Sequence, residues 1–398
     1  MMELCNKEIC SGCNACVAVC KHDAISMIAD EEGFLQPNIF LDKCVECGLC
    51  RKTCPILSPL KAPDHSHQKL YALHSKDKLI RRRSTSGGFF SVISKEIIDG
   101  GGKAVGVVLN DDLKIAHLCI DDTDEIYRFS GSKYVQSDLQ NCFRQVEQCL
   151  QSGHKCVFSG TPCQVAGLLS FLKHPYLDLY TVEVVCHGVP SPLFWEQYIK
   201  HKENEYKSKI VAVNFRDKKY GYGSGVMKLV FSNGKVYHQG HEADYFLHAF
   251  SKSMIDRRSC YSCHFKGMEK HYADFTIYDG WHICKWNKKM NDDKGTTLVY
   301  AHNEKAQCLL NKISNNFVIQ EVSVNDKYAK IDAVMLYRSS IMTPQRNNIY
   351  QLLNNNGFDG VVDKYLSVTW KIRFKSFLKQ FLYHIRVLSL FNRFKKFL

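Results

Sequence analysis

The sequence predicts an α/β (α+β) protein in three parts: a small N-terminal domain with a βαβ-type repeat, a mixed α/β body and a basic helical tail. Three observations carry this. Eight cysteines fall in two matched runs within the first 54 residues. From residue 155 buried strands alternate with turns that open helices, the rhythm of α/β folds. The last thirty or so residues carry aromatic and aliphatic side chains between cations, with no acid from 371 onward. A chain of 398 residues has room for two or three domains. The expected parts are 1–58, 69–150, 151–345 and 346–398, with 59–68 a Pro-containing linker.

The first part is set by its cysteines. Cys10-x2-Cys13-x2-Cys16-x3-Cys20 is followed by Cys44-x2-Cys47-x2-Cys50-x3-Cys54-Pro55. This is the spacing of a two-cluster 4Fe–4S ferredoxin, in which three thiolates come from one tight loop and the fourth from the other run. The pattern assigns Cys10, Cys13, Cys16 and Cys54 to one cluster, and Cys44, Cys47, Cys50 and Cys20 to the other. Zinc knuckles are the alternative, but they use C-x2-C pairs and no third cysteine in the loop. Gly12 and Gly48 lie where the backbone wraps closely. Ala24–Ile28 and Phe34–Pro37 read as short strands between the runs.

Composition narrows the rest. Nineteen cysteines without an apolar leader at Met1–Lys7 point to a reduced, cytoplasmic protein with metal-bound thiols. No run of 18 apolar residues suggests a spanning helix. Net charge is +13, but eight Lys/Arg lie in 371–398, leaving about +5 for the body. That distribution argues against nucleic-acid binding, which needs a basic patch on the folded body.

The body opens with a strand at Lys69–Leu73. Ser84-Thr85-Ser86-Gly87-Gly88 then starts a helix, Phe89–Ile98. Exposed amides at a helix start suit a phosphate, and a capped helix with a tight entry is the alternative. Gly102–Asn110 and Ile115–Ile120 form a hairpin, and Leu139–Leu150 is an amphipathic helix. Two buried strands follow, Lys155–Ser159 and Leu179–Val185. Each ends in a turn that carries a cysteine and opens a helix, Val165–Leu172 and Ser191–Tyr206. Ligands bind at the carboxyl ends of such strands, so Cys163 and Cys186 are expected to face one site. Strands at Ile210–Phe215 and Gly225–Phe231 lead through Asn233-Gly234 into Val236–His238, a hairpin signal. The pair Cys260-x2-Cys263 needs two more ligands if it holds metal, with Cys163 and Cys186 the natural candidates. A redox dithiol or two structural thiols are the alternatives. Cys5, Cys119, Cys142, Cys149, Cys156, Cys284 and Cys308 have no ligand spacing and read as small hydrophobes.

Six stretches in order resemble the β subunits of coenzyme F420-reducing hydrogenase and F420-dependent dehydrogenases. They are Thr85–Gly88, Gly131–Ser137, Phe158–Gln164, Cys186–Pro190, Phe215–Lys218 and Ser259–Cys263. The resemblance covers roughly 68–300, and the family's ferredoxin domain matches 1–58. It implies a flavoprotein that binds FAD and carries its own 4Fe–4S cluster, with Cys163, Cys186, Cys260 and Cys263 as ligands. It implies flavin contacts at Ser86, Gly87 and Gly88, at Ser132, Lys133 and Tyr134, at Gly160, Thr161, Pro162 and Gln164, and at Arg216. The sequence departs from the family at Ile277-Tyr278-Asp279-Gly280-Trp281-His282, where both expected glycines are displaced. The exchangeable partner, F420 or NAD(P)H, is therefore the least transferable part.

These features together predict an iron–sulfur flavoprotein oxidoreductase. Flavin exchanges two electrons with an organic partner and single electrons with clusters. The rival is a non-catalytic electron-transfer subunit serving a redox partner protein, or a membrane-surface reductase of a sugar or lipid-linked intermediate. His187 and His282 are the acid–base candidates. Oligomeric state is not legible. In the tail, Phe374, Phe377, Leu378, Phe381, Ile385 and Leu388 repeat on one helix face between cations. Such a helix lies in a membrane interface; docking on the protein body is the alternative.

Overall fold

The computed structural model describes residues 4–385. Its strands in chain order are β1 (Ile25–Ala29), β2 (Leu35–Ile39), β3 (Lys69–Ser75), β4 (Lys103–Leu109), β5 (Ile115–Ile120), β6 (Cys156–Gly160) and β7 (Leu179–Val184). They continue as β8 (Ile210–Asp217), β9 (Val226–Phe231), β10 (Val236–Gly240), β11 (Phe275–Asp279), β12 (Thr297–Ala301) and β13 (Phe317–Val322). Eight of them form one mixed sheet in the order β13-β3-β12-β11-β7-β6-β4-β5. The inner strands β4, β6, β7 and β11 run parallel, and the flanking pairs are antiparallel.

The parallel centre is buried on both faces, which is why its strands read as unbroken apolar runs. Alternation within β6 divides the core. Val157 faces the layer built with Phe89, Ile93 and Leu310. Cys156 and Phe158 face the layer built with Phe143, Val165 and Leu168. The helices Phe89–Asp99 and Glu304–Ile313 supply the first layer, and Cys142–Gln151 and Pro162–Leu172 the second.

The cysteine-rich segment has the order helix Ala15–Val19, β1, β2, helix Leu49–Lys52, with β1 and β2 antiparallel. This replaces the expected βαβ-type repeat: only residues 30–34 separate β1 from β2, enough for a hairpin, whereas a parallel crossover needs about a dozen residues or more. The chain divides by contact into two units that cut across the linear partition: 1–189 with 257–340, and 190–256 with 341–398. The ferredoxin-like residues thus belong to the same unit as the large sheet.

In that first unit, the helix Pro162–Leu172 meets the first cysteine loop at Gly167. A Cβ on Gly167 would lie 2.9 Å from Cys13 Cβ, 3.0 Å from its sulfur and 3.1 Å from its carbonyl oxygen. Only glycine allows this approach.

The second unit contains the antiparallel sheet β10-β9-β8. Its core is aromatic: Trp195 lies 4.7 Å from Phe215 and 5.0 Å from Phe246 between ring centres. The buried Asp244 carboxylate accepts from Tyr198 at 2.6 Å and Tyr237 at 3.0 Å, and caps the next helix through Leu247 N at 2.8 Å.

The tail forms a helix at Trp370–His384, and Leu388 lies outside the described residues. One edge docks on its own unit: Lys375 pairs with Glu242 at 2.7 Å, Ser376 bonds Gln239, and Tyr383 meets Tyr220 edge-on at 5.2 Å. The other edge is open, with Trp370 71%, Phe374 57%, Phe377 64% and Phe381 51% exposed. No described helix is long and apolar enough to cross a membrane.

The contact at Gly167 generates a stability prediction. Gly167→Ala forces a shift in the Cys13 loop and is expected to destabilise the protein by about 1–3 kcal/mol, as overpacking does. Gly223→Ala, whose Cβ meets nothing within 4 Å, serves as control. Denaturant midpoints check this; equal midpoints for the two variants would mean that the loop does not need the glycine.

Candidate functional site

One cavity in the first unit is lined by Cys10, Cys13, Cys16 and Cys54, with Cys5, Cys50, Met27, Pro37 and Ile56. The fourth cysteine of the second run therefore joins the three of the first loop. Backbone amides point at these sulfurs: Gly12 at Cys10, Ala15 at Cys13, Val17 at Cys16, and Ile56 and Leu57 at Cys54. Left-handed Gly12 (φ 69°), Asn14 (φ 69°) and Gly48 (φ 75°) turn the two loops. Burial pushes the Cys16 thiol up to about 12 and raises Cys13 as well. Such thiols ionise only against a compensating cation, which an iron–sulfur cluster supplies. The donor set, the cavity and the amides fit a cubane cluster.

Cys44 and Cys47 both act electrostatically on Cys50, and the Arg51 amide points at the Cys50 sulfur. Cys20 Sγ accepts from Ala24 N at 3.4 Å.

The third group forms at the sheet. Gly160 on β6 is the register partner of Glu183 on β7. Cys163 and Cys186 each follow three residues later, so two parallel strands present their cysteines at the same end. Cys163, Cys186 and Cys263 act on one another electrostatically, and Cys13 of the first loop acts on Cys163. Burial pushes the Cys163 and Cys186 thiols up to about 12 each. Thr161 Oγ1 lies 3.1 Å from Cys163 Sγ. Lys266 Nζ donates to Cys186 O at 2.7 Å, and Cys263 N donates to Ser339 Oγ at 3.1 Å. Cys260 N donates to Arg257 O at 2.9 Å. Among the described residues no three His, Cys, Asp or Glu side chains converge as ligands of one metal ion; a cubane spreads its thiolates around a larger body.

The turn at Ser86-Gly87-Gly88 is used differently from the expected phosphate cradle. Gly87 N donates to Thr297 Oγ1 at 2.7 Å, and Ser86 Oγ donates to Thr296 O at 2.7 Å. A Cβ on Gly87 would meet Leu73 O at 2.4 Å, and one on Gly88 would meet Ile80 Cγ2 at 2.8 Å. The glycines serve close packing on β3 and β12, and the Gly87 amide is already engaged. These residues do not fit a pyrophosphate. Ser132 is brought to this turn, its amide donating to Thr85 Oγ1 at 2.7 Å. Gly131 (φ 83°) faces open space. Lys133 is half-buried, donates to Arg128 O at 2.9 Å and Ser130 O at 3.0 Å, and desolvation lowers it to about 7. Tyr134 follows in the same turn.

Gln164 is consumed by structure. It closes a capping box with Thr161, accepting from Thr161 N at 2.9 Å, and donates to Ser137 Oγ at 3.0 Å. Pro162 holds the first helical position beside it. Thr161, Pro162 and Gln164 thus orient Cys163. Arg216 lies in the second unit on β8. His282 bonds Asp332 at 2.6 Å and stacks on Tyr328, and Tyr278 is buried against Tyr300. His187 sits in the turn after β7.

Three features escaped the sequence reading. Cys5 is no isolated hydrophobe: it lines the same cavity as Cys10 and Cys54 and acts on both thiols. Cys149 and Cys156 likewise contact each other. Under the third group lies a buried polar chain. Glu183 Oε1 meets His271 Nδ1 at 2.5 Å and accepts from Thr276 at 2.6 Å, and Thr276 meets His302 Nε2 at 2.7 Å. Burial opposes the charge on His271, but the Glu183 carboxylate outweighs it and raises His271 above its ordinary range. The third feature is Arg257, 1% exposed, whose side chain enters the first cysteine loop. The doubled arginine before Cys260 was visible; its burial was not.

An α/β body joined to a loop-built cluster domain defines an iron–sulfur redox protein. Residues 9–56 match the 4Fe-4S dicluster domain, which decides against zinc knuckles, and residues 153–327 match the C terminus of the coenzyme F420 hydrogenase/dehydrogenase beta subunit. The two matched stretches lie in order along the chain and leave residues 57–152 and those after 327 outside either match. It is 23% identical over 153 residues to the F subunit of the F(420)H(2) dehydrogenase from Methanosarcina mazei, a match covering 36% of this chain and 43% of that protein. The match thus spans less than half the length of that relative. A chain of the xenon-derivatised F420-reducing [NiFe] hydrogenase complex from Methanosarcina barkeri is 13% identical, with a TM-score of 0.45 over 76% of this chain and 91% of that one.

Proposed function

We propose that the protein is an iron–sulfur flavoprotein oxidoreductase that passes electrons between 4Fe–4S clusters and FAD, and on to F420, a nicotinamide or another organic partner. The observation that carries this reading is the nearness of the two cysteine groups: Cys163, at the end of β6, lies within reach of Cys13 in the first ferredoxin loop. One-electron groups exchange electrons only when close, and Cys13 sits against Gly167 of the same helix that Cys163 opens.

In this reading Cys10, Cys13, Cys16 and Cys54 hold one cluster, Cys20, Cys44, Cys47 and Cys50 the second, and Cys163, Cys186, Cys260 and Cys263 a third. The clusters supply one-electron storage, and flavin supplies conversion to two-electron chemistry. The chain's own groups orient and tune: loop amides are directed at the sulfurs, Thr161 contacts Cys163, and Lys266 fixes the Cys186 turn. The open turn Gly131-Ser132-Lys133-Tyr134 is the flavin contact best supported. A partner redox protein fits this reading, since the curated relative is named as a subunit of a dehydrogenase.

Anaerobic purification followed by flavin identification tests this reading. About one FAD per chain, bleached by reduced F420 or by NAD(P)H, is expected for a flavin of this kind. Protein with clusters but no flavin would leave the electron-transfer subunit as the function.

The tail supports a further location, peripheral attachment to an anionic membrane surface. Its polar edge is docked, while Trp370, Phe374, Phe377 and Phe381 stay exposed beside Lys and Arg. Replacing Phe374, Phe377 and Phe381 together by Ser keeps the docked edge. This variant is expected to lose co-sedimentation with phosphatidylserine-containing vesicles at low salt and to retain its iron. Undiminished sedimentation contradicts the attachment.

A further inference from the structure

We propose that Arg257 is the charge that couples the two cysteine groups: it tunes the group held by Cys10, Cys13, Cys16 and Cys54 to a higher reduction potential and locks that loop onto the strand ends. The inference rests on the ligand assignment made above.

The backbone of Arg257 is fixed between the two halves of the third group. Its amide donates to Val189 O at 2.9 Å, just after the Cys186 turn, and its carbonyl accepts from Cys260 N at 2.9 Å. The side chain then runs into the ferredoxin loop. Nε donates to Cys10 O at 2.7 Å, one terminal nitrogen to Leu35 O at 2.9 Å and the other to Gln36 Oε1 at 2.5 Å. The guanidinium lies over the Phe34 ring at 5.7 Å. A Cβ on Gly12 would sit 3.1 Å from one of its nitrogens, so the loop backbone closes directly on the cation.

Every one of these partners is neutral. Among the described residues no carboxylate pairs with Arg257, although neighbouring Arg258 pairs with Glu32 at 3.2 Å. A buried cation without a counter-charge is strongly unfavourable. The field of Arg257 instead falls on sulfur: it acts on the thiol of Cys10, whose carbonyl it binds, and on Cys163. Four thiolates leave a cubane cluster net negative, and more so when reduced. A fixed positive charge beside it therefore favours the reduced form, and net charge and hydrogen bonds to sulfur are what set such potentials. Arginine suits the place better than lysine, because its planar fork reaches three acceptors at once.

The test compares Arg257→Met and Arg257→Lys in anaerobically purified full-length protein. Iron and sulfide are counted first, and the ferredoxin midpoints are then read by redox titration with electron paramagnetic resonance. Arg257→Met is expected to keep its iron and to shift one ferredoxin midpoint to more negative potential, leaving the other in place. Arg257→Lys is expected to keep that midpoint near the parent value. Unchanged midpoints in an iron-replete Arg257→Met protein overturn the proposal. If Arg257→Met loses iron, the lysine variant decides: an iron-replete protein with the parent midpoint supports the proposal, and a negative shift despite the retained charge overturns it. Absence of cubane signals from the parent protein would instead refute the ligand assignment.

Discussion

The close approach of the first cysteine loop to the helix Pro162–Leu172 is the constraint on which the rest depends. It exists because Gly167 has no side chain where Cys13 sits, and because Arg257 ties the loop through Cys10 O. Electron transfer falls off steeply with distance, so a redox chain must hold its centres together by packing rather than by tether. Here the packing is in one unit, built from 1–189 and 257–340. The ferredoxin-like segment is not an appended carrier on a linker; it completes the second core layer, where Ala15, Val19 and Cys13 pack among Phe143, Val165 and Leu168.

The same region concentrates buried thiols. Burial opposes their ionisation, and the protein answers with directed dipoles and a few cations: amides from Gly12, Ala15 and Val17, the Thr161 hydroxyl, and Arg257. Beneath Cys186, the Glu183–His271–Thr276–His302 chain is polar and fully enclosed. Through Glu183 Oε1 and Thr276 it links β7 to β11 at the strand ends that carry the third group.

Much of this was legible in the sequence because it is local. The loop spacing of Cys10–Cys20 and Cys44–Cys54 gives the cluster domain directly, and strand–turn–helix rhythm places Cys163 and Cys186 at adjacent strand ends. The hairpin at 103–120 and the helices at 89–99 and 192–206 followed from periodicity. What was missed depends on long-range partners. The Ser86-Gly87-Gly88 turn has the composition of an anion cradle, yet its amide is claimed by Thr297, more than two hundred residues away. Gln164 looked like a ligand contact and is a helix cap. Arg257 and Cys5 sit in ordinary sequence contexts; only the folded loop shows one as a buried cation and the other as a fifth sulfur at the first group.

The claim that a third cysteine group lies beside the ferredoxin pair is tested most directly by iron. Anaerobically purified protein should hold about twelve irons per chain, and Cys163→Ala should lose about four while keeping the ferredoxin signals. About eight irons in the intact protein, unchanged by Cys163→Ala, would contradict the account.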